Sequence, residues 1–163
     1  MVASSLDDDT RYDLVHVRPR GWEAGRIRTA SLLQLDFEFA GSSLSLEAAR
    51  AQRRAHDRHG ISTLIVPARY GAAAIGVAEA AIRAVQAAPA TKPGVRPEMP
   101  RLHADHPMFF TFQLPAVEPK LPGGRRRRSP HLGKELLFSV DKCDGHIWST
   151  EEMGEFFALI GPR

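Results

Sequence analysis

The chain has 163 residues, 43% apolar and 25% charged, a size and balance that suit one soluble domain with its own core. No apolar run approaches the roughly 20 residues that a membrane helix needs. The start, Met1 to Thr10, carries Asp7, Asp8 and Asp9 and lacks the basic-then-apolar pattern of a secretory leader. A cytoplasmic protein with a disordered tail over 1–10 is expected, followed by a single domain over 11–163. The lone cysteine, Cys143, excludes an internal disulfide framework. The formal net charge is +3, and without Arg125, Arg126, Arg127 and Arg128 it would be −1. The positive charge therefore belongs to one loop on a nearly neutral body. Arginine outnumbers lysine 18 to 4, which with abundant alanine points to a GC-rich, bacterial genome.

Tyr12 to Val17 reads as a first strand. Ser31 to Phe39 is the clearest one, with Leu33, Leu35, Phe37 and Phe39 on one face and Gln34, Asp36 and Glu38 on the other. A turn at Gly41-Ser42-Ser43 leads into a helix that Ser43 or Ser45 can cap and that Gly60 ends. Leu44, Ala48, Ala51 and Ala55 predict its buried stripe, with Arg50, Arg53, Arg54 and Asp57 outside. Ile61 to Val66 is a short apolar strand stopped by Pro67. A second helix is predicted from Tyr70 to Ala88, with Ile75, Ala78, Ile82 and Val85 at helical spacing. Small residues at Ala72, Gly76 and Ala80 predict close packing.

Ten of the twelve prolines lie beyond residue 88, and they predict long connections over 87–106 and 115–134. Between these, Met108 to Leu114 is a strand with Met108, Phe110, Phe112 and Leu114 on one face. Glu135 to Asp141 alternates again, Asp144-Gly145 signals a turn, and His146 to Ser149 returns. Ser149 and Glu152 have capping-box spacing for a last helix with Met153, Phe156, Phe157 and Ile160 on its apolar face.

The order (β)βαβαβββα, with strands that alternate apolar and polar, predicts an α+β two-layer sandwich. It would hold a mixed sheet of about four to six strands and about three helices, with one polar sheet face. The order β-α-β-α-β-β-α also resembles the core of the thioredoxin fold, a three-layer α/β arrangement. His106-Pro107 before a strand is similar to the proline of that family. At the position of the family's C-x-x-C the chain has Ser42-Ser43-Leu44-Ser45, so this resemblance implies a redox-inactive relative.

Four constellations carry chemistry. Arg125 to Arg128 could grip phosphates through paired hydrogen bonds, helped by Arg50, Arg53, Arg54 and Arg58. Without interleaved aromatics the run does not indicate base stacking, and a solvated loop is the plainer explanation of so short a run. His56 with His59, His103 with His106, and Cys143 with His146 are spaced as chelating pairs. The dipole of a helix C-terminus and turn chemistry account for the same residues without metal. Asp36 and Glu38 share a strand face, as a wet sheet face alone would require. Cys143 beside His146 lacks a pocket or oxyanion donors. No P-loop, dinucleotide fingerprint, nucleophile elbow or zinc-protease helix is present. The expectation is a non-catalytic interaction or regulatory module without metal or cofactor, meeting a protein partner through the polar sheet face and the Pro/Arg loop. The alternatives are a nucleic-acid- or ribosome-associated accessory protein using Arg125 to Arg128, and an enzyme or redox-inactive thioredoxin-like protein.

Overall fold

The structure is a computed structural model that describes residues 10–19, 35–91, 96–97, 100–114, 116–117 and 136–160. Arg125 to Arg128, nearly all of the tail over 1–10 and most of 115–134 lie outside the described residues. The fold is α+β: two three-stranded antiparallel sheets and three helices. The described chain gathers into two compact units, residues up to Ala73 together with Ser149 onward, and Ala74–Trp148.

In the first unit β1 (Tyr12–Pro19) lies between β2 (Leu35–Phe39) and β3 (Thr63–Pro67). Both neighbours run antiparallel to it, with Val15 opposite Phe39 and Leu64. Since β2 and β3 share a direction and α1 (Leu46–Arg58) joins them, β2–α1–β3 is a β-α-β unit split by β1. Tyr12, Leu14, Val15, Ile65 and Val66 are buried at its centre. On β2, Asp36 and Glu38 are exposed while Leu35, Phe37 and Phe39 are half-buried, as the alternation predicts.

A polar knot sets the entry to α1. The Asp13 carboxylate accepts hydrogen bonds from the backbone N–H groups of Leu14, Gly41 and Ser42, each at 2.8 Å, and from the Ser42 hydroxyl at 2.8 Å. Burial raises the pKa of Asp13, but the bonds from Ser42, Gly41 and Leu14 outweigh it and hold the carboxyl below its ordinary value. The knot supports a left-handed backbone at Gly41 (φ +68) and at Ser43 (φ +43). Leu44 then bridges back to Tyr12 as a strand residue, and Ser45, not Ser43, caps the helix by accepting from Ala48 N at 3.3 Å. Gly60, at φ +70, follows the helix end.

The predicted stripe of α1 is rotated. Ala48 and Ala51 are exposed, whereas Ala49 is buried and Leu46, Arg50, Arg53 and His56 are half-buried. Leu46, Ala49, Arg53 and His56 are also at helical spacing, so periodicity allowed either face. The predicted second helix begins later. Ala68–Ala72 is a 3-10 turn, and α2 is Val77–Thr91, starting beyond Gly71 and Gly76 and running through Pro89.

In the second unit β6 (Phe109–Leu114) is flanked by β5 (Arg101–Asp105) and β8 (Leu136–Asp141). Two residue pairs, β4 (Arg96–Pro97) and β7 (Ala116–Val117), form a second small ladder. The proline-rich segment 87–106 thus contains a helix end and two strands. Ala80, Ala84 and Ala88 of α2 pack on Phe110, Phe112, Leu114, Phe138 and Val140. Small residues at four-residue steps let the helix approach an aromatic sheet closely. Of the predicted stripe, Ala78 and Ile82 are exposed instead.

Two expectations fail here. The strands form separate antiparallel sheets and not one mixed sheet. β5 and β6 are joined through only His106, Pro107 and Met108, and short connections favour local pairing because little chain entropy is lost on closure. Every described strand pair is antiparallel, so the parallel pairing that the thioredoxin-like alternative needs is absent among the described residues. Nor is the face of β6 and β8 opposite α2 wet throughout: Leu137 is exposed, but Thr111 and Ser139 are buried and share a hydrogen bond of 2.8 Å. α3 (Thr150–Ile160) opens with the predicted capping box, Glu152 N donating to Ser149 Oγ at 3.1 Å and Ser149 N to Glu152 Oε2 at 2.7 Å. Phe156 is buried on it, and Phe157 is 42% exposed.

Candidate functional site

The densest group of ionisable side chains lies at the end of β8. Asp141, Asp144 and His146 bring one potential metal-ligand atom each within 4.8 Å of the others. Their hydrogen bonds show what holds them together. Asp141 is 1% exposed; its Oδ1 accepts from Cys143 N (2.7 Å) and Asp144 N (3.2 Å), and its Oδ2 from Trp148 Nε1 (3.0 Å). Asp144 Oδ1 accepts from His146 N at 3.0 Å and lies 2.7 Å from His146 Nδ1. Arg83, held by Glu79 at 2.7 Å, donates to the carbonyl oxygens of Asp144 (3.2 Å) and Gly145 (3.4 Å). Donors already occupy both Asp141 oxygens and Asp144 Oδ1, and the guanidinium adds positive charge. The group is a turn clamp. Its φ of +74° favours glycine at Gly145, and a Cβ there would lie 2.5 Å from Arg83 Cζ, so the guanidinium would have to shift.

A second group surrounds Lys142. Its Nζ is 2.6 Å from Asp105 Oδ1 and 4.1 Å from the centre of the Phe110 ring. His106 stacks on Phe109 at 4.4 Å, and its Nδ1 accepts from Met108 N at 3.3 Å, which assigns the ring proton to Nε2. Burial, reinforced by the charge of Lys142 and opposed by Asp105, lowers the His106 pKa to about 4. His106 is therefore a neutral part of the packing at neutral pH.

The predicted chelating pairs separate. His103 is exposed beside an irregularity of β5, His106 is turned to Met108, and Cys143 and His146 belong to the turn clamp, so these four side chains form no shared ligand set among the described residues. His59 is the exposed C-cap of α1 while His56 is half-buried. Glu38 pairs with Arg18 at 3.2 Å on the surface. Arg54 and Arg58 are exposed and line a surface recess with Ala51 and Asp57.

Sequence periodicity did not single out the outer face of α2. Val77 is 46% and Ile82 58% exposed, Ala78 and Pro89 are exposed, and Ala81 and Val85 are half-buried. At 100° per residue these side chains form one continuous apolar arc beside the Ala80–Ala84–Ala88 face. The signal in the sequence was breadth: α2 is apolar over more than the width that a single packed face requires. Among the described residues no helix is long and apolar enough to cross a membrane.

Fold and site together define a small α+β protein with two antiparallel sheets and an exposed apolar helix face. Comparison with protein-family models, with curated proteins and with solved structures finds no match.

Proposed function

We propose that the chain is a non-catalytic interaction module that docks a protein partner on the outer face of α2. The observation that supports this is the exposed apolar arc from Val77 to Pro89, in which Ile82 is 58% exposed. Water contact with such an arc is unfavourable, and covering it contributes roughly 25 cal/mol per Å² of apolar surface. The test is a pull-down after nuclease treatment, with the wild-type chain beside Ile82→Asp. A partner retained by the wild type and lost from the variant supports docking on this face. Equal retention by both sinks it. Because Ile82 is exposed, the substitution should leave stability within about 0.5 kcal/mol, so lost binding would not report lost folding.

A second reading is favoured by Arg54 and Arg58, which present two guanidinium groups one helical turn apart beside the recess on α1. In this reading they act with Arg125 to Arg128 on nucleic-acid phosphates. Fluorescence anisotropy with duplex DNA over a salt series tests it. Four neutralised phosphates would give a log–log slope of about −3.6, lost when Arg125 to Arg128 become serine. Binding without a salt slope would reject this reading.

A further inference from the structure

Two helices of the first unit carry unpaired charges of opposite sign. Arg54 and Arg58 are exposed one turn apart on α1, and Glu151 and Glu155 are exposed one turn apart on α3. Among the described residues none of the four joins an ion pair or a side-chain hydrogen bond. By contrast Arg18 is paired with Glu38, Arg53 with Asp57 and Arg83 with Glu79. The dipole of each helix favours Arg58 in the last turn of α1 and Glu151 in the first turn of α3. Arg54 and Glu155 lie outside those turns, so no such local effect accounts for them.

The surfaces around these charges are small. On α1 Ala51 is exposed and Ala55 half-buried, and on α3 Gly154 and Ala158 are exposed. A Cβ at Gly154 would meet nothing within 4 Å, so this face of α3 is open. On α1 the charges border the recess lined by Ala51, Arg54, Asp57 and Arg58. Its carboxylate, Asp57, already has Arg53 at 3.9 Å.

Spacing matches the two faces. Each occupies positions i, i+3, i+4 and i+7, which share one side of a helix. With the helices antiparallel and Arg58 opposite Glu151, each further step falls on a complementary pair. Ala55 meets Gly154, Arg54 meets Glu155, and Ala51 meets Ala158. The small pairs let the helix axes approach, and the guanidinium groups then reach both carboxylates. Laid parallel, Ala51 on Glu151, every charge would face an alanine or a glycine.

We propose that α1 of one chain docks antiparallel on α3 of a second copy of this chain, through the pairs Arg58–Glu151 and Arg54–Glu155 across a seam of alanine and glycine. The occupant is a second copy because this chain itself carries the face of opposite charge at the matching spacing. Exposed ion pairs each contribute little and are screened by salt, so the association is weak and salt-sensitive. It uses no residue of the α2 face and stands independently of docking there.

The test is sedimentation of the intact chain at low salt over roughly 10 μM to 1 mM, the range of weak contacts. The average mass should rise with protein concentration and fall back as salt is added. Arg54→Glu with Arg58→Glu should weaken association about tenfold or more, as should Glu151→Arg with Glu155→Arg, because like charges then meet. An equimolar mixture of these two variants should associate as the wild type does, since each offers the face that the other lacks. Arg54→Gln with Arg58→Gln, which adds no repulsive charge to the helix end, should show a smaller loss in the same direction. Circular dichroism of every variant should match the wild type, because the altered side chains are exposed. A wild type that stays monomeric at low salt overturns the proposal and leaves the two faces to unlike partners. So do charge-reversed variants that associate as the wild type does, or a mixture of them that stays apart. Loss of association in Ile82→Asp overturns it too, by putting the contact on α2.

Discussion

α1 and α2 each lie on a three-stranded antiparallel sheet, and they do so with opposite chemistry. α2 turns Ala80, Ala84 and Ala88 to its sheet and leaves Ile82 in solvent. α1 buries Ala49, half-buries Leu46, Arg50, Arg53 and His56 beside it, and leaves Ala48 and Ala51 in solvent. The reason lies in the strands. Phe110, Phe112 and Phe138 already fill the space over the β6–β8 ladder, so a helix can sit there only with small side chains. The β1–β3 ladder carries His16 and Thr63 on the same face as Leu14 and Ile65, and long polar side chains can cover such a mixed face with their stems. Helical spacing shows that one side is buried; the facing strand decides which.

The largest effect that would break this comparison is expected at Phe112. Phe112→Ala should cost about 3–5 kcal/mol in denaturant unfolding, because the alanines of α2 cannot refill the space. A loss below about 1 kcal/mol would mean that the alanine–phenylalanine seam does not carry the second unit.

His106 sharpens the contrast through pH. Its folded pKa of about 4 lies below the ordinary 6.5, so the unfolded chain takes up the proton first as pH falls. The stabilisation is complete above pH 6.5 and declines toward pH 4. A shift of this size corresponds to an order of about 3 kcal/mol. His106→Asn, which keeps an acceptor for Met108 N, should flatten the stability–pH curve in that window. A wild-type curve already flat there would remove His106 from the packed interior.

Gly145→Ala should cost about 1–3 kcal/mol, from backbone strain and the approach of Arg83. In a double-mutant cycle, Arg83→Ala should recover part of it. Strict additivity would show that Arg83 does not touch the turn. The smallest effect is the sharpest test of α1. Ala51→Glu should change stability by no more than about 0.5 kcal/mol if Ala51 faces solvent. A cost of several times that would restore the alanine stripe to the inside.

Much of the fold was legible because it is local. Alternation placed Leu35–Phe39, Phe109–Leu114 and Leu136–Asp141. Caps placed the ends of α1 and α3, since Ser45, Gly60 and the Ser149–Glu152 box act on backbone groups within a turn of themselves. Composition also marked Asp144-Gly145 as a turn. The clamp around it was not legible, because Arg83 and Trp148 reach it from positions that no short motif links. The paired histidines misled for the same reason: a spacing of three says nothing of what each ring meets.

The sequence by itself determined the α+β class and the type of most elements, through periods of two and 3.6 and through caps that act over a few residues, but it took β5 for part of a connection and began α2 too early. Only the tertiary structure decided that the strands divide into two antiparallel sheets. It alone half-buried Arg50, Arg53 and His56 of α1 beside Ala49 and left Ile82 outside. Each of these depends on which surfaces meet across long stretches of chain. Volume, desolvation and loop entropy settle that together, and none of them is a property of a short segment.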